Sequence, residues 1–100
     1  MSLKIEKKHD DAFDTVTLVG RLDTMTAPEL ESFISNELSG DENLVLDLEG
    51  LEYISSAGLR VILKLQKLKN KSGSLKLVHV GEIVMEVLEI TGFTDILTIE

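Results

Sequence analysis

A nearly unbroken apolar run, Leu44-Val45-Leu46-Asp47-Leu48, hands over within a few residues to a helical pattern opening at Ser55-Ser56. The run reads as a strand covered on both faces. Val61, Ile62, Leu65 and Leu68 then recur as the stripe of a helix, from about Ser56 to Asn70, that faces a sheet. Another strand pattern, Leu75 to Val80, follows the stop at Ser72-Gly73. Strands joined through a helix run parallel with a right-handed crossover, so this junction commits the chain to an α/β architecture. It also places Ser55-Ser56 at a helix start, where unpaired N–H groups and a partial positive charge gather. A hydroxyl there caps the helix, and a phosphate there is well tolerated.

The remaining elements fit around that junction. Leu3 and Ile5 alternate with Lys4, Glu6 and Lys8, and Val16 and Leu18 alternate with Thr15 and Thr17. Two such half-exposed strands joined by His9-Asp10-Asp11 predict an antiparallel hairpin. Met25-Thr26-Ala27-Pro28-Glu29-Leu30 reads as a helix start: Thr26 and Glu29 are spaced as a capping box, and Met25 and Leu30 as a hydrophobic staple. Ala27, Leu30, Ile34 and Leu38 give that helix its apolar face, and Gly40 its stop. A third helix is expected from Gly81 to Thr91, with Ile83, Val84, Val87 and Leu88 inward and Gly92 at its end. Ile96–Ile99 reads as a short last edge strand. The predicted order is β-β-α-β-α-β-α-(β): one domain over residues 1–100, with a small mixed sheet of about four to five strands.

Composition narrows the function. Aromatic residues are only 4% of the 100-residue chain, so the core is expected to be aliphatic. No cysteine is present, which removes disulfides, thiolate metal sites and a Cys nucleophile, and fits a reducing compartment. No apolar run approaches the ~18 residues that span a bilayer, and no signal-peptide pattern opens the chain. A cytoplasmic location without membrane insertion is therefore expected. A net charge of −8 argues against a general nucleic-acid surface.

Few residues point to catalysis. There is no Walker loop and no G-x-S-x-G, and His9 and His79 lack metal-ligand spacing, so neither a metal nor a cofactor is expected. His79 reads as a structural histidine in a strand. Asp47 interrupts its apolar strand, either facing solvent or bonding a nearby loop. Asp23 reads as a turn or capping aspartate before Thr24-Met25-Thr26. Arg60, Lys64, Lys67, Lys69 and Lys71 read as a solvated helix face, with a docking patch for an acidic partner as the alternative. Ser56, Leu59, Arg60, Leu63 and Lys67 share a helix face separate from the expected core stripe. Exposed apolar residues around a hydroxyl suggest a contact surface, and a phosphate there would add nearly two negative charges.

These segments resemble the anti-sigma factor antagonist family, the STAS domain. Leu18-Val19-Gly20-Arg21-Leu22-Asp23-Thr24-Met25-Thr26-Ala27 is similar to the family's "LxGxLDxxTA" segment. Leu44 to Ile54 is similar to its central strand and loop, and Ser55-Ser56-Ala57-Gly58-Leu59-Arg60-Val61-Ile62 to its "DSSGLGVI" motif. The resemblance covers essentially the whole chain and implies helices largely on one face of the sheet. It implies a non-catalytic regulator of transcription that binds an anti-sigma factor acting also as a serine protein kinase. Phosphorylation of Ser56 would switch it off and a PP2C-type phosphatase would restore it. Ser55 stands where the family has aspartate, and Ala57 follows the phosphorylatable serine. The implied partner-binding residues are Asp23, Thr24, Ser55, Ser56, Leu59, Arg60 and Leu63, on a monomer. The alternative is a STAS-domain subunit or scaffold of a membrane transporter or signalling complex, without a phosphorylation cycle.

Overall fold

The computed structural model describes residues 3–38 and 42–100. Strand β1 (Leu3–His9) pairs antiparallel with β2 (Asp14–Leu22). Helix α1 (Ala27–Glu37) leads to β3 (Asn43–Ile54), which lies parallel to β2. Helix α2 (Ser56–Lys71) then leads to β4 (Ser74–Val78), parallel to β3, giving the sheet order β1-β2-β3-β4. Helix α3 (Glu82–Ile90) and a 3-10 turn (Phe93–Asp95) follow. The short polar link after His9 permits only an antiparallel return, whereas α1 and α2 carry the chain back for parallel pairing. Among the described residues, no helix is long and apolar enough to cross a membrane.

All three helices cover the same face. Val16 and Leu18, Leu44, Leu46 and Leu48, and Leu75 and Leu77 form one core with Leu30, Ile62, Leu65, Val84 and Leu88. Every buried apolar side chain there is aliphatic. The expectation that β3 is covered on both faces is corrected: Val45 and Asp47 are only half-buried, and among the described residues no helix covers that face. The apolar run is in fact a one-sided strand whose outward positions include valine.

Other local readings need correction. The Thr26 side chain makes no cap bond to α1, and Met25 is 79% exposed, so neither the capping box nor the staple forms. On α3, Val84 and Leu88 are buried and Val87 half-buried, but Ile83 is 62% exposed. Gly92 closes α3 with φ +80°, a left-handed turn that favours glycine. The last segment forms a single parallel bridge, Leu77 to Ile99, rather than a strand. Leu77 N donates to Thr98 O (2.8 Å) and Glu100 N to Leu77 O (2.9 Å). The expected stop at Gly40 lies outside the described residues.

Candidate functional site

The site grows from the point where β2 and β3 end side by side. Ser55 N donates to Leu22 O at 2.9 Å, fastening the end of β3 to the end of β2. Ser55 is extended (φ −103°, ψ 175°), and its hydroxyl accepts from Gly58 N at 3.4 Å. Its carbonyl accepts the first helical bond, from Leu59 N at 2.9 Å. Ser55 is therefore the N-cap of α2, a role serine fills about as well as aspartate. Ser56, the first residue of the helix, is exposed. The capping role at this junction therefore falls to Ser55 and not to Ser56.

Gly58 brings α2 close to β2. A Cβ at that position would lie 2.6 Å from Leu22 Cγ. With Gly58 and Ile62 at the centre of the buried arc, the helix turns Leu59, Gln66 and Lys69 inward as well. Two expectations fall together. Leu59 is 5% exposed and belongs to the core, so it cannot line a contact surface. Leu68, expected inside, is 46% exposed. Leu63 is half-buried, and Arg60 faces solvent. Buried Lys69 ends inside an ion pair with Glu42 and also donates to Glu42 O (3.0 Å), a role that helix periodicity did not signal.

The neighbouring turn is built on Asp23. Its Oδ1 accepts from Met25 N (3.0 Å) and Thr26 N (3.1 Å), and its carbonyl accepts from Ala27 N (2.8 Å). Thr26 Oγ1 accepts from Asp23 N (2.9 Å) and donates to Arg21 O (2.7 Å), bracing the turn from beneath. Burial pushes the Asp23 carboxyl up, but the Thr26 and Met25 N–H groups, the Thr26 hydroxyl and Arg21 outweigh it and hold it below the usual range. Arg21 lies 4.4 Å over the Tyr53 ring, with its Nε 3.7 Å from Asp23 Oδ2. This cation–π contact crosses from β2 to β3, and the sequence reading missed it. Thr24 stands exposed at the tip of the turn.

Between the turn and the helix runs a groove of about 370 Å³. Thr24, Ala27, Pro28 and Glu31 form one wall, and Ala57, Arg60, Val61 and Lys64 the other. Glu31 and Lys64 pair across it. The structure thus brings Thr24 and Arg60 onto one groove, with Ser56 next to its Ala57 wall. Ser55 caps α2 and Asp23 holds the turn, while Leu63 is not among the groove's lining residues.

Neither histidine hydrogen-bonds either serine. His9 Nδ1 meets Asp14 Oδ1 at 2.6 Å, and His79 Nδ1 meets Asp47 Oδ1 at 3.0 Å. Asp47 therefore binds the loop after β4. The hydrogen bond and charge of Asp47, with help from Glu49, raise the His79 pKa above the ordinary histidine value. Asp47, Glu49 and His79 place one ligand atom each within 4.8 Å of one another, a grouping that spacing in the chain did not reveal.

This is a small α/β module with a capped helix, an outward serine on its first turn and an open groove alongside. Comparison with known proteins gives that class a family. The STAS domain model matches residues 4–100, and the chain belongs to that family. It is 38% identical over 96 residues to BtrV of Bordetella bronchiseptica, which carries the name of an anti-sigma factor antagonist; the match covers 94% of this chain and 83% of BtrV. It is 31% identical over 99 residues to the anti-sigma-B factor antagonist of Staphylococcus aureus, covering 97% and 92%. Its fold superposes on the Bacillus cell-fate determinant SpoIIAA in its phosphorylated form, with a TM-score of 0.69 at 17% identity, covering 98% of this chain and 90% of that one.

Proposed function

We propose that this protein is an anti-sigma factor antagonist switched by phosphorylation at Ser56. In its unmodified form it docks on an anti-sigma factor that is also a serine protein kinase, and so frees the sigma factor. A PP2C-type phosphatase reverses the modification. The chain catalyses nothing itself, and ATP belongs to the partner. One observation carries this reading: Ser55 takes the cap, leaving the Ser56 hydroxyl outward on the first turn of α2 beside an open groove.

The physical consequences are consistent. A phosphate on Ser56 meets the positive end of α2, so the modified fold stays intact. The same phosphate brings about −1.5 to −2 charges to the middle of the docking face. Covering it with a partner is costly unless that partner pairs it. Ser55 supplies the capping oxygen that an aspartate would, so its presence leaves the helix start in place. The contact rim comprises Asp23, Thr24, Ser55, Ser56, Arg60 and the exposed edge of Leu63, with Leu59 withdrawn from it. The test is mass spectrometry after incubation with the anti-sigma kinase and ATP. Phosphate on Ser56, abolished by Ser56→Ala, is expected. An unmodified Ser56, with partner binding indifferent to Ser56→Asp, would replace the switch with a constitutive scaffold or transporter subunit.

A further inference from the structure

Beyond the serine, α2 carries a charge pattern that neither the fold nor the phosphorylation cycle requires. The helix holds five of the ten cationic residues and none of the eighteen acidic ones, so the rest of the chain has a net charge of −13. One of the five, Lys69, is buried against Glu42. The other four, Arg60, Lys64, Lys67 and Lys71, are exposed and spaced 4, 3 and 4 residues apart. At about 100° per residue they fall within a sector of roughly 60°, opposite the buried arc through Gly58, Ile62 and Lys69.

On a helix face acid and base at i, i+4 support one another, whereas like charges there repel, and of these four cations only Lys71 lies in the last turn, where the helix C-terminus favours it. This face has only the repulsive pairs. Among its four cations, Lys64 alone has an ion-pair partner in the described residues, Glu31 across the groove. The stripe starts one turn after Ser56, beside a groove whose walls include Ala27, Pro28, Ala57 and Val61. It therefore continues the face on which the partner is proposed to dock.

We propose that Arg60, Lys64, Lys67 and Lys71 form a docking rail for an acidic segment of the anti-sigma partner, whose apolar side chains enter the groove between α1 and α2. This rests on the proposed function and adds the chemistry of the partner's surface. The rail is about 16 Å long at 1.5 Å per residue, enough for roughly three helical turns of the partner. Charge complementarity selects a short acidic segment over a long polyanion: the surrounding −13 repels a nucleic acid or an anionic bilayer, while a local segment meets only the rail. It also gives the phosphate a second effect. A dianion on Ser56 sits one turn from Arg60, engages the first cation of the rail and repels the acidic segment.

The test is calorimetric titration of the purified anti-sigma factor into the full chain at 50 and 300 mM NaCl. Lys67→Glu/Lys71→Glu lies three to four turns from Ser56 and leaves the phosphorylation site untouched. It is expected to weaken binding at least ~10-fold at low salt and to flatten the salt dependence, while Lys67→Arg/Lys71→Arg binds as wild type. Wild-type affinity and salt slope in the reversal variant, with Ser56→Asp still disrupting binding, overturns the rail and leaves the switch standing. No binding by the unmodified wild type overturns both. Wild-type binding to phosphatidylserine vesicles or duplex DNA, lost in the reversal variant, overturns the acidic-segment assignment.

Discussion

Gly58→Ala tests how the serine is positioned. Alanine is the better helix former, so in open surroundings this change would gain about 1 kcal/mol. Here the new Cβ would lie 2.6 Å from Leu22 Cγ, 3.0 Å from its Cδ2 and 3.0 Å from its carbonyl oxygen. Carbon atoms rest at about 3.5–4.0 Å, so the closest contact is short by roughly 1 Å. Leu22 has nowhere to go: its side chain is fully buried, and its carbonyl already holds Ser55 N at 2.9 Å. Overpacking of this kind costs about 1–3 kcal/mol, and so deep an overlap belongs at the upper end. After the helix gain is subtracted, the variant is expected to lose about 2 kcal/mol. In a chain this size that lowers Tm by roughly 8–16 °C. Urea unfolding reads it as a lower midpoint at unchanged slope. A variant as stable as wild type, or more so, would refute close packing of α2 on β2 as the device that holds Ser56 in place.

Further outcomes follow from the same contacts. Leu59→Ala is expected to destabilise by about 2–5 kcal/mol in urea unfolding, and Leu68→Ala by well under 1 kcal/mol, the reverse of what residue pattern alone suggested. Ser55→Ala should cost about 1 kcal/mol, with Ser55→Asp near wild type, because only a capping acceptor is needed. The His79–Asp47 pair is favoured with His79 protonated, so its contribution is fully present below the unfolded histidine pKa of about 6.5 and is lost as pH rises through the raised folded value. An NMR titration should place His79 above the free-histidine value, and Asp47→Asn should bring it back.

The order of elements along the chain, the antiparallel hairpin and the parallel crossovers were legible because period-2 and helical patterns, with the link lengths between them, settle pairing direction; the order of strands in the sheet came from the structure. The expectation that Ser56 is the modifiable hydroxyl came from the resemblance to the family motif. That Ser55 is the cap emerged only from backbone geometry, since either serine of the pair satisfies the sequence rule. Leu59 and Leu68 exchanged places because residue type marks apolar positions but not the rotation of a helix about its axis. That rotation is set here by the close approach at Gly58, which a helical wheel treats as blank. Lys69 was read as solvated because lysine rarely lies inside, and the Glu42 contact that admits it is 27 residues away. Asp47 and His79, 32 residues apart, met for the same reason: parallel pairing of β3 and β4 sets distant positions side by side.

The most direct measurement is the affinity of the anti-sigma factor for the chain carrying stoichiometric phosphate on Ser56, beside the unmodified chain at the same ionic strength. At least ~100-fold weaker binding of the phosphorylated form, equivalent to about 2.7 kcal/mol, is the predicted result. Equal affinities for the two forms would contradict the switch.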